Sequence, residues 1–144
     1  MKLKKRFSAL SKGFTLIELL VVIGIIAILT AVVAVAVNPG RQFSQARDAQ
    51  RRADISAVLS AVYQYAVDNN GSIPSVISST PTDVGTDTGL VDLTASLVPN
   101  YLGAIPADPS SGTPSDTKYV IFKNGTRVTA SASGEIAGTI TLTR

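Results

Sequence analysis

The stretch Lys12-Gly13-Phe14-Thr15-Leu16-Ile17-Glu18-Leu19-Leu20 opens directly into a run, residues 19–37, that is apolar throughout except for Gly24 and Thr30. As a helix, that run is about 28 Å long, close to the roughly 30 Å hydrocarbon core of a bilayer, so it can cross a membrane once. Val and Ile are frequent in it. They weaken helix formation in water, but in lipid the backbone must satisfy its own hydrogen bonds and helix is the available solution.

Upstream stand Lys2, Lys4, Lys5, Arg6 and Lys12, with no acidic residue among them. A basic segment before an apolar span predicts a cytoplasmic N-terminus and an exported C-terminal part. An ordinary secretory signal is cut after its hydrophobic region, whereas here the small residue, Gly13, precedes it. A cut after Gly13 keeps the whole apolar helix on the mature chain and leaves a free amine on Phe14. Glycine suits a scissile position because it lets the backbone lie extended against a protease.

Glu18 is the one charge in the helix, and burying an isolated carboxylate at the bilayer centre costs a few kcal/mol. The Phe14 amine, four residues earlier on the same helix face, could compensate it, and so could the same amine of a neighbouring helix. At about 4 Å and an effective dielectric near 20, that attraction is on the order of 4 kcal/mol before desolvation is subtracted, enough to set axial register between subunits.

These residues resemble the type IV pilin and pseudopilin family: a short basic leader, a glycine before the cut, a phenylalanine that becomes N-methylated, and a glutamate four residues on. The resemblance covers residues 2–36. It implies cleavage between Gly13 and Phe14 by a prepilin peptidase, methylation of Phe14, and an assembly role for Glu18. It further implies a homo-oligomeric helical filament built at the membrane by an ATPase and a platform protein, ending as a surface pilus or a periplasmic pseudopilus. A plain membrane anchor with an incidental Glu18 is the simpler alternative.

Working outward, the charge of the 144-residue chain is +3, from 13 basic and 10 acidic residues, but its basic excess lies in the leader. Beyond Gly13 the remaining 8 basic residues, 13 less five, face 10 acidic ones, a balance of −2. That removes the argument for a nucleic-acid partner. With no Cys and no His, there is no disulfide, no thiol nucleophile and no imidazole base or ligand. An anchored enzyme or sensor would have to rely on Asp pairs or a Ser-Lys arrangement, and Lys118 and Lys123 have no recognisable nucleophile motif beside them.

The chain divides into a leader (1–13), a transmembrane or filament-core helix (14–37), a kink with an amphipathic helix (38–70), and a loop-rich and β-rich head (71–144). Asn38-Pro39-Gly40 predicts a kink or local unwinding. Ile55, Val58, Leu59, Val62, Tyr65 and Ala66 recur at helical steps and predict one buried face in the C-terminal half. Arg47, Arg51 and Arg52 read either as a solvated face or as partners for acids on neighbouring subunits. Asn69-Asn70-Gly71 predicts the stop.

Residues 72–115 shift to Ser, Thr, Pro, Gly and Asp, with 90–102 apolar enough to dock. Strands are expected at 118–123 and 126–130, joined at Asn124-Gly125 by a type I′ turn, with a third at 136–142. The expected fold class is α+β, a long N-terminal helix packed on a small antiparallel sheet of about three strands. Leu93 to Leu97, Pro99, Tyr101-Leu102, Pro106 and Asp108-Pro109 resemble the segment before the sheet in major pseudopilins of type II secretion, which implies calcium in a nearby loop. Asp83, Asp87 and Asp92 are the candidate oxygen ligands, with solvated turn aspartates as the alternative. Asn70-Gly71-Ser72 and Asn124-Gly125-Thr126 match the glycosylation pattern but read better as turns.

Overall fold

The computed structural model describes residues 13–144, so the leader, apart from Gly13, lies outside the described residues. The chain falls into two compact units that divide between Pro39 and Gly40.

In the first unit, helix α1 (Leu16–Val37) begins at Thr15 and carries no buried residue. Its apolar side chains are exposed all round, from Leu16 and Ile17 to Val35 and Val37. A helix apolar on every side belongs in lipid or inside a bundle. Thr30, its polar interruption, donates its hydroxyl to the Ile26 carbonyl at 2.8 Å, so the hydroxyl is satisfied within the helix.

The expected break is present but confined to one residue. Asn38 caps α1 in the left-handed region at φ 44°, a conformation that Asn tolerates better than most residues. Helix α2 (Pro39–Asp68) restarts at once. Pro39 occupies its first position, where proline's missing N–H costs nothing and its fixed φ suits the helix. Pro39 and Gly40 are therefore helical rather than unwound.

In the second unit, α2 packs on a four-stranded antiparallel sheet in the order β1-β2-β3-β4: β1 (Thr82–Asp83), β2 (Tyr119–Asn124), β3 (Arg127–Ser133) and β4 (Thr139–Thr143). The α+β class holds, with one strand more than expected. A two-residue strand cannot display period-2 alternation, and β1 exists only through pairing with Ile121 and Val120 of β2. Ile55, Leu59 and Val62 of α2 meet Tyr119, Ile121, Val128, Ala130, Ala132 and Ile140 of the sheet in one core. Leu93 and Leu97, flanking and ending the short helix α3 (Thr94–Leu97), complete it.

The hairpin forms one position away from the expected turn. Asn124 still pairs with Arg127, so the central residues are Gly125 and Thr126. Gly125 alone of these has positive φ, 62°, which is the pattern of a II′ turn with glycine first. The third expected strand also starts late, because 134–138 is a loop closed by Gly134 N–H to the Gly138 carbonyl at 2.5 Å. At the other end of α2, Asn70 (φ 54°) and Gly71 (φ 84°) turn the chain as the sequence implies. Gly71 N–H returns to the Ala66 carbonyl at 2.7 Å.

Candidate functional site

The first site is the start of α1. Gly13 and Phe14 precede the helix in non-helical backbone, both exposed. Thr15 is the N-cap: its hydroxyl oxygen accepts from the Glu18 N–H at 3.2 Å. Glu18 answers by accepting from the Thr15 N–H at 2.8 Å and the Thr15 hydroxyl at 2.7 Å, both on Oε2. This reciprocal capping box satisfies two of the N–H groups that a helix start otherwise leaves orphaned. Glu18 thus has a partner one turn back on its own chain. The pattern Thr-x-x-Glu, Thr15 to Glu18, is the signal in the sequence that carries this cap.

The second cluster lies on the first half of α2. Asp48, Arg51 and Asp54 are buried and continue, toward the N-terminus, the helical stripe of Ile55, Val58 and Leu59. Arg51, only 2% exposed, is neither on a solvated face nor free for another subunit. Its Nε donates to Asp108 Oδ2 at 2.5 Å, its Nη1 to Asp48 Oδ1 at 2.9 Å, and its Nη2 to Ser110 Oγ at 2.8 Å and Glu135 Oε1 at 3.1 Å. Arg47 bonds Glu135 through Nε at 2.6 Å and Nη2 at 2.5 Å. Arg52 alone of the three stays exposed.

The acids are fixed from the other side by backbone. Asp48 accepts from the successive N–H groups of Glu135, Ile136 and Ala137 at 2.8, 2.9 and 3.1 Å, an anion nest that explains why 135–137 cannot join β4. Asp108 accepts from the N–H groups of Ser110 and Ser111 at 2.8 and 2.9 Å. The bonds from Glu135 and its neighbours hold the Asp48 carboxyl down at about 2, below its ordinary 3.8. Arg51, then the Ser110 and Ser111 amides, hold Asp108 at about 2 as well. Glu135 is pushed below the usual range, by Arg47 above all. In the same stripe, Tyr119 donates its hydroxyl to Asp54 at 2.7 Å, and burial chiefly drives that phenol's pKa up.

Asp83, Asp87 and Asp92 are not gathered into one site. Asp83 lies in β1 opposite Val120, Asp87 is in the following exposed loop, and Asp92 accepts from the Thr94 N–H at 2.8 Å. Among the described residues, no group of three or more His, Cys, Asp or Glu side chains could hold a metal ion.

In sequence order, a wholly exposed apolar helix with a capped start directly after Gly13-Phe14 precedes a small α+β head. Residues 9–34 match the family model described as the prokaryotic N-terminal methylation motif, the type IV prepilin signature. That match ends before residues 93–109, so the likeness there to pseudopilins has no support from it. Comparison with curated proteins and with solved structures returns no match.

Proposed function

We propose that the chain is the precursor of a type IV pilus-like filament subunit, a structural protein rather than an enzyme. The observation that carries this reading is α1: an apolar helix of 22 residues with none buried in its own chain, about 33 Å long by its rise per residue, lying within and beyond a methylation motif. Such a helix needs lipid or other helices around it. Gly24, Ala27, Ala31, Ala34 and Ala36 let neighbouring helices approach closely. The leader directs the N-terminus to the cytoplasm, a prepilin peptidase cuts after Gly13, and the new amine of Phe14 is methylated. The helix then passes from membrane to filament core, driven by an assembly ATPase through a platform protein, since leaving lipid gains no hydrophobic energy.

Glu18 can serve the cap and the assembly together. Both bonds from Thr15 fall on Oε2, so Oε1 remains to accept from the Phe14 amine of an adjacent subunit. Mass spectrometry of purified surface filaments tests the reading directly. The expected species starts at N-methylated Phe14. A chain still starting at Met1, or absent from filaments, overturns it, and assemblies confined to the periplasm would indicate the pseudopilus form.

A further inference from the structure

Bordering the cluster around Arg51, which forms part of its wall, lies a second feature of the head. The sheet's inner face, Tyr119, Ile121, Ala130, Ala132 and Ile140, is buried in the core. The opposite face carries hydroxyls: register places Asp83 beside Val120, Val120 beside Ser131, and Ser133 beside Thr139. These residues line a cavity of about 530 Å³, bounded also by the 108–111 and 134–135 segments that Arg51 ties down. That volume lies in the range of small-molecule sites.

The chemistry of the lining selects among ligands. The hydroxyls of Ser131, Ser133 and Thr139 make no hydrogen bond to the described residues, and the Asp83 carboxylate accepts none, acting on Lys118 only through its charge. The other charges that line the cavity are matched within the chain: Asp108 and Glu135 with Arg51, and Lys118 with Asp116. An anion would therefore meet an unpaired carboxylate and no unpaired cation. Among the described residues no aromatic side chain lines the cavity, so a nucleobase or other flat ring would find no stacking surface there. A neutral polyol fits what remains, because each hydroxyl can donate or accept and a carboxylate can take two adjacent sugar hydroxyls. Lys118 adds a further sign that the rim is shaped for use: it holds a left-handed backbone, φ 62°, rare for a residue of its kind.

We infer that this cavity binds a neutral saccharide of one or two rings through Asp83, Ser131, Ser133 and Thr139. The site is a property of the single head and does not depend on polymerisation. Without an aromatic platform the affinity is modest, on the order of a millimolar.

The test is titration of the detergent-solubilised full chain, followed by backbone NMR, with glucose, galactose, mannose, N-acetylglucosamine, lactose and maltose, and with inorganic phosphate as control. At least one sugar should shift the amides of Ser131, Ser133 and Thr139, while phosphate shifts none of them. Asp83→Asn and Ser131→Val should each weaken that binding about tenfold or more, the loss of a hydrogen bond to or from the ligand, with the melting curve unchanged. The inference is overturned if no sugar binds at tens of millimolar, if phosphate binds there instead, or if both variants bind as well as the parent. Efficient crosslinking of Ser133→Cys to an adjacent subunit in filaments would also overturn it, by showing the cavity filled with protein.

Discussion

Arg51 and Asp108 stand 57 positions apart in sequence and meet through two bonds, Nε to Oδ2 at 2.5 Å and Nη2 to Oδ1 at 3.3 Å. This pair ties the first half of α2 to the loop that leads into the sheet, and Asp48 beside it ties the β3–β4 loop. Replacing Arg51 with Met leaves two buried carboxylates without their cation, and the expected loss is about 3–5 kcal/mol of head stability. Arg51→Lys should fail as well, because a single ammonium cannot reach both carboxylates in fork geometry. Chemical denaturation of the solubilised chain followed by circular dichroism reads both.

Arg47 sets the contrast. Its pair with Glu135 is 38% and 28% exposed at the two side chains, so Arg47→Ala should cost under about 1 kcal/mol. A loss equal to that of Arg51→Met would mean that the exposed pair and the buried one act as a unit.

Acid should loosen the head in a defined window. Asp48 and Asp108 titrate near 2 in the folded chain against an ordinary 3.8, so the unfolded chain binds their protons first as pH falls. Their contribution is complete above about pH 4 and is lost on the way down to about 2. Melting temperature measured from pH 6 to pH 2 should drop mainly below pH 4. In Asp108→Asn the starting value should be lower and the acid decline shallower.

Gly112 has no room for a side chain. A Cβ there would stand 2.3 Å from the Asp108 amide nitrogen and 2.8 Å from the Thr117 carbonyl oxygen, and neither is free to move, since Asp108 N–H donates to that carbonyl at 2.9 Å. Gly112→Ala is expected to destabilise by about 1–3 kcal/mol, as overpacking does. Unchanged stability would show that this loop can shift without cost.

The two proposed duties of Glu18 can be separated. Thr15→Val removes the cap and keeps the charge, so it should cost about 1 kcal/mol at the helix start while filaments still form. Glu18→Gln keeps an acceptor for the cap and removes the charge, so processing at Gly13 should continue while filament yield falls. Counting filaments by electron microscopy beside mass spectrometry of the processed chain distinguishes them, and normal filaments from Glu18→Gln would remove the register argument.

Elements that repeat a local pattern were legible in the sequence. The span of α1, the apolar stripe from Ile55 to Ala66, the stop at Asn70-Gly71 and the β2–β3 hairpin all follow from neighbours a few positions apart. The larger departures in the head share one cause, pairing at long range. Arg51 looked solvated because its acids, Asp108 and Glu135, are 57 and 84 positions away. Strand β1 is created by β2, and the late start of β4 follows from Asp48 taking the amides of 135–137. At the N-terminus the sequence led to Glu18 by its charge, whereas its bonds to Thr15 needed only a four-residue pattern.

The fastening around Arg51 is ionic and hydrogen-bonded in a chain that has no cysteine. It can therefore come apart and re-form without oxidant or thiol exchange. A head that has unravelled can rebuild this closure from its own charges, equally in reducing and oxidising surroundings. Its vulnerability moves accordingly, from reductants to strong acid.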